Sequence, residues 1–99
     1  RGLGGVPVLT PRLYCAATTD DLRFVVRHLR LKYPRSKLFG VGFSLGANIL
    51  SKYVAEERER CLLDAAVSLG CPWDLLRCCL AIPDFFAHRL GTNLKNLFR

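Results

Sequence analysis

The sequence contains no methionine, one tryptophan and only two histidines, and each scarcity narrows the reading. Without an initiator Met, and with elements that resemble the middle of a larger fold, the chain is expected to be part of a longer protein. No apolar stretch approaches the ~20 residues needed to span a bilayer, so no segment is expected to cross a membrane. No signal peptide is recognisable, and the five cysteines (Cys15, Cys61, Cys71, Cys78, Cys79) are odd in number and irregularly spaced. Both features argue against a secreted disulfide framework and favour a cytoplasmic or peripheral-membrane location. The C-x2-C spacing of a zinc site is missing around Cys71, Cys78, Cys79 and His88, so no metal is expected, and nothing calls for a cofactor. Repeats, low-complexity tracts and nucleic-acid recognition modules are also missing, so no nucleic-acid partner is expected.

What is present reads as a piece of a globular protein. Ninety-nine residues, 51% hydrophobic and 23% charged, exclude a disordered tail or a collagen-like repeat and allow at most one small domain. Fifteen Lys and Arg against eight Asp and Glu leave a net charge of +7. Much of it falls on Arg23, Arg27, Arg30, Lys32, Arg35 and Lys37, the polar side of an amphipathic helix and its exit. A solvated basic face is the plainer account, and contact with an anionic membrane surface is the alternative. The adjacent Cys78 and Cys79 would suit S-acylation if the protein meets lipid.

Along the chain, residues 1–17 are rich in Gly and Pro and read as a loop. Thr18 and Thr19 supply a hydroxyl cap, and Asp20 and Asp21 oppose the positive end of a helix dipole. Leu22, Val25, Val26, Leu29 and Tyr33 then form one apolar stripe, which Pro34 ends. Lys37–Phe43 reads as a buried strand. A second helix is expected from Leu45 to near Arg58, with Ile49, Leu50, Tyr53 and Val54 inward and Glu56, Glu57 and Glu59 outward. Leu62–Leu69 reads as another buried strand, and two short helices follow, Asp74–Ala81 and Asp84–Phe98. Helix, strand, helix, strand over residues 18–70 is the doubly wound α/β pattern, with parallel strands joined by helical crossovers. Residues 71–99 would be lid helices outside that core. The apolar run from Ala81 to Phe86 suits an acyl-binding lid or plain packing against further protein.

Between the first strand and the second helix lies Gly42-Phe43-Ser44-Leu45-Gly46. A G-x-S-x-G pattern is weak alone, but strand before and helix after are the context that gives it meaning as a nucleophile elbow. Gly42 and Gly46 would let strand and helix approach closely while Ser44 takes a strained conformation at the carboxyl end of a parallel strand. The Leu45 N–H, at a helix N-terminus, can stabilise an oxyanion. A nucleophilic serine also needs a base and an acid, in the chain order Ser, Asp or Glu, His. His28 precedes Ser44 and lies mid-helix. His88 follows it, with Asp64, Asp74 and Asp84 between, but one further strand leaves too little sheet to arrange them, and Asp74 reads better as a helix cap. Neither acid nor base is expected in this chain.

These residues resemble the type 4 family of the α/β-hydrolase superfamily, which includes plant embryogenesis-associated proteins and yeast medium-chain fatty acid ethyl ester synthase/esterases. Gly42-Phe43-Ser44-Leu45-Gly46-Ala47-Asn48-Ile49-Leu50 is close to that family's elbow, and its last four residues are far more specific than G-x-S-x-G. Arg1-Gly2, Leu9-Thr10-Pro11 with Tyr14-Cys15-Ala16, and Thr19-Asp20-Asp21-Leu22 resemble family segments before the elbow. Ala65-Ala66-Val67-Ser68, Cys71-Pro72-Trp73-Asp74-Leu75 and Gly91-Thr92-Asn93-Leu94-Lys95 resemble segments after it, with Cys71 where the family usually has Asn. The resemblance implies a serine carboxylesterase, acylglycerol lipase or acyltransferase acting on medium-chain acyl esters. It implies Ser44 as nucleophile, Leu45 as an oxyanion donor, and the remaining machinery elsewhere in the hydrolase domain. A non-catalytic interaction fragment is the competing reading.

Overall fold

A computed structural model describes residues 5–12 and 15–97. The expectations placed on Arg1, Gly2, Tyr14 and Phe98 lie outside the described residues. In chain order the elements are α1 (Asp20–Lys32), β1 (Phe39–Phe43), α2 (Leu45–Glu57), a 3-10 turn (Arg58–Arg60), β2 (Ala65–Leu69), α3 (Leu75–Leu80) and α4 (Asp84–Leu97). β1 and β2 form a parallel pair in the register Phe39↔Ala65 to Phe43↔Leu69, with α2 as the crossover between them. This is the open α/β arrangement expected of part of an α/β-hydrolase fold.

Side chains alternate across a strand, so the register assigns the two sheet faces. Gly40, Gly42 and Ser68 turn toward α2, with the Leu50 side chain seated over Gly40 and the Ser51 hydroxyl 2.7 Å from that of Ser68. On the other face Phe39, Val41, Phe43, Val67 and Leu69 form a ladder that is 45–69% exposed. The expectation of strands buried on both faces therefore fails among the described residues, because α2 covers one face and nothing covers the other. The strands are also shorter than expected. Leu38 and Asp64 pair at the entrance instead, Asp64 N–H donating to the Leu38 carbonyl and Leu38 N–H to the Asp64 carboxylate, at 2.8 and 2.9 Å.

Among the described residues the buried apolar ones are Val26, Ala47, Leu50 and Tyr53. Three of the four come from α2, which makes it the centre of packing. Of the α1 stripe only Val26 is buried, because the groove between α1 and β1 stays open along Leu22, Val25, Leu29 and Phe39.

Polar contacts correct three further expectations. Thr19 is the first residue before α1, yet its hydroxyl makes no cap and donates instead to Glu56 on α2. Glu56 and Glu57 turn toward α1 rather than outward, since Arg23 binds Glu57 at 2.6 Å and Glu56 at 3.1 Å. The basic face is not wholly solvated either: Arg23 clamps α1 to α2, and Arg30 reaches Asp64 at 2.9 Å. The expected cap at Asp74 is present, its carboxylate accepting the Arg77 N–H at 3.0 Å at the start of α3.

Candidate active site

Ser44 occupies the single residue between β1 and α2. Its backbone lies at φ 49°, ψ −120°, a region that side chains rarely adopt and that costs of order 1–3 kcal/mol. Two hydrogen bonds hold it there. The Ser44 N–H donates to the Leu69 carbonyl at the end of β2 (2.9 Å), and the Ser44 carbonyl accepts the Asn48 N–H (3.2 Å). The residue is exposed at the carboxyl end of the parallel pair, where open α/β sheets collect their ligands. Leu45 begins α2, and first-turn amides have no acceptor within their own helix, so its N–H suits a developing negative charge.

The flanking glycines differ in what they do. A Cβ on Gly42 would lie 2.6 Å from the Ala47 Cα and 2.7 Å from the Gly46 carbonyl oxygen, so only glycine permits the strand and helix to meet there. A Cβ on Gly46 would meet nothing within 4 Å among the described residues, so close approach does not require that second glycine here.

Among the described residues the structure does not bring an acid or a base to Ser44. Among the described residues no side chain hydrogen-bonds to its hydroxyl. His28 is exposed on α1 and stacks on Phe24, the ring centroids 6.5 Å apart. His88 is exposed on α4, which contacts no other element among the described residues. Asp64 sits at the opposite end of the strands, roughly 20 Å from Ser44 at ~3.3 Å per strand residue. There it is held by the Leu38 N–H, Arg30 and Lys37, which keep its carboxyl well below the usual range. Asp74 caps α3 and Asp84 opens α4. Among the described residues no group of His, Cys, Asp and Glu is placed to hold a metal ion, and no helix is long and apolar enough to cross a membrane. All five cysteines are free.

Asn48 was not singled out chemically by the sequence, yet it joins two parts of the site. Its backbone N–H closes on Ser44, and its side-chain amide donates to the Pro72 carbonyl beyond β2 at 3.2 Å. Its place one helical turn after the serine was the available signal.

Comparison with known proteins decides the family. A monoacylglycerol lipase of Saccharomyces cerevisiae is 35% identical over 105 residues, covering 100% of this chain and 23% of that protein. The embryogenesis-associated protein EMB8 of Picea glauca is 45% identical over 98 residues, covering 99% of the chain and 20% of its own length. The phospholipase ABHD3 of Mus musculus is 36% identical over 78 residues, 79% of the chain and 19% of its own. The chain belongs to the α/β-hydrolase superfamily. The resemblance drawn from the elbow and its flanking segments is thereby borne out. The chain spans about a fifth to a quarter of these relatives' length. No family model and no solved structure matches it.

Proposed function

We propose that the protein carrying this chain is a serine hydrolase of fatty acyl esters, with Ser44 as nucleophile and the Leu45 N–H as one oxyanion donor. The observation that carries the reading is the backbone of Ser44: a serine at φ 49° between a parallel strand and a helix N-terminus. Strain of this kind persists where the surroundings over-determine it, and here it lifts a hydroxyl to the end of the sheet. The names of two relatives, a monoacylglycerol lipase and a phospholipase, support lipid esters as the substrate class. Medium-chain acyl groups, and transfer to an alcohol in competition with water, are the finer expectations.

The same reading makes the isolated chain inactive, since attack by a serine needs a base to take its proton and Ser44 has none beside it among the described residues. Residues 71–97 we assign to the cover of the acyl site. Binding of an anionic membrane through α1 is the weaker alternative, because Arg23 and Arg30 are already engaged in ion pairs. A fluorophosphonate probe on the full-length protein is expected to label Ser44 and to leave a Ser44→Ala variant unlabelled. Normal octanoyl-ester turnover by that variant would remove Ser44 from the mechanism. Ester turnover by residues 1–99 alone, abolished by Ser44→Ala, would refute the inactivity of the isolated chain.

A further inference from the structure

Everything after β2 is almost detached from the rest of the described structure. Among the described residues neither α3 nor α4 contacts another element. Among the described residues a single hydrogen bond joins residues 71–97 to what precedes them, the one from the Asn48 amide to the Pro72 carbonyl, 3.2 Å long. Proline has no N–H, so its carbonyl is the one backbone polar group that residue offers, and the partner must be a donor. Asn48 is half-buried and stands one turn along α2 from Ser44, whose carbonyl its own N–H engages at 3.2 Å. Two hydrogen bonds therefore run from the Ser44 backbone to the loop from which the α3–α4 arm departs. Trp73, 75% exposed, follows Pro72 immediately.

We propose that Asn48 is a positioning residue: it latches the root of the α3–α4 arm to the elbow helix, and so fixes the acyl-side wall relative to Ser44. The inference rests on the serine-hydrolase reading for its consequence but not for its geometry. A latch on the wall acts on the part of the substrate that touches the wall. Long acyl chains should feel its loss and short ones should not. Asn is required over Asp because a carboxylate of nearly the same shape has no hydrogen to donate and would face the carbonyl with negative charge.

The test compares Asn48→Asp, Asn48→Ala and Asn48→Gln in the full-length protein on acetyl and octanoyl esters of one alcohol. Asp and Ala are expected to lower kcat/KM for the octanoyl ester about tenfold, through KM, the scale of one lost hydrogen bond. The acetyl ester should change less than about twofold, and Gln, which keeps a donor, should recover much of the loss. Agreement between Asp and Ala separates the missing donor from the added charge, and Ala alone suffices if the Asp variant does not fold. Trypsin cleavage after Arg77, whose side chain is 87% exposed, reads the latch without any chemistry and should accelerate about tenfold in both donor-less variants. Equal losses on the two esters would reduce Asn48 to a support of the elbow, and unchanged cleavage after Arg77 would overturn the latch. An unlabelled wild-type Ser44 would instead sink the hydrolase reading, with the cleavage measurement still deciding the latch.

Discussion

Replacing Gly42 by alanine is the sharpest perturbation of the elbow that removes none of its reactive groups. The added Cβ would sit 2.6 Å from the Ala47 Cα, 2.7 Å from the Gly46 oxygen and 2.8 Å from the Ala47 nitrogen. Comfortable separations are ~3.5–4.0 Å, so β1 and α2 must part by about 1 Å. All three neighbours are backbone, and no rotamer change relieves them. Overpacking of this kind costs ~1–3 kcal/mol, and the absence of any yielding side chain puts Gly42→Ala at the upper end, about 3 kcal/mol. The same displacement pulls on the Ser44 N–H bond to Leu69, 2.9 Å long, so fluorophosphonate labelling should slow as well. Gly46→Ala is the internal control. Its Cβ meets nothing within 4 Å among the described residues, and exchanging glycine for alanine in a helix gains up to ~1 kcal/mol. Urea denaturation followed by circular dichroism measures both variants. A lower midpoint at unchanged slope is expected for Gly42→Ala and an equal or higher one for Gly46→Ala. Equal effects of the two substitutions would refute the assignment of the steric demand to Gly42.

The ionic clamps predict an acid limb. Lys52, the Thr19 hydroxyl and Arg23 lower the Glu56 carboxyl from 4.5 to about 2, so its contribution is fully present above pH 4.5 and is lost as pH falls toward 2. Glu56→Gln should flatten stability across that window, and added salt should do so in part because the cluster is solvent-accessible. Asp64, lowered by the Leu38 N–H, Arg30 and Lys37, carries the same sign, so Asp64→Asn should lower stability near neutrality while leaving it closer to wild type in acid. Asp74→Ala removes the cap of α3 and should cost the helix about 1 kcal/mol, read as faster hydrogen exchange at the Arg77 amide that the carboxylate accepts from.

The elements were legible in the sequence because each has its own period and its own punctuation. Leu22, Val26 and Leu29 mark a helix, Pro34 stops it, and Gly42 to Gly46 mark the switch from strand to helix. The contacts that position those elements were not legible. Thr19 meets Glu56 and Arg23 meets Glu57, pairs more than thirty positions apart, and each residue taken locally fits a cap or a solvated face. Asp64 carried a faint signal as the one acid inside an apolar run, but chain order and spacing only weighed it for a triad and set it aside, and gave no sign of a tie between two strand entrances. The exposure of Phe39, Val41 and Phe43 had no local signal at all. Whether an apolar strand is covered depends on which other elements are present to cover it, and that information lies in no window of the sequence.

Backbone strain on its own does not nominate a nucleophile, and this chain supplies the control. Arg58, at the far end of α2, adopts φ 50°, ψ −126°, almost the same conformation as Ser44 at φ 49°, ψ −120°. Its N–H closes on Val54 and its carbonyl accepts from Cys61, so the conformation turns the chain out of the helix and into the 3-10 turn. Nothing reactive is presented there. At Ser44 the same dihedrals place a hydroxyl at a strand's carboxyl end, beside first-turn amides that have no acceptor within their own helix. Glycine should relieve both positions, recovering ~1–3 kcal/mol of strain against ~0.5–1 kcal/mol of added unfolded-state entropy. Arg58→Gly is therefore expected to raise stability by up to about 2 kcal/mol with labelling of Ser44 intact. Ser44→Gly should raise stability by a similar amount and abolish labelling, the trade between stability and activity that strained sites display. If both glycine variants proved less stable than wild type by urea denaturation, the conformation would not be a stored cost, and strain at Ser44 would lose its standing as evidence for chemistry.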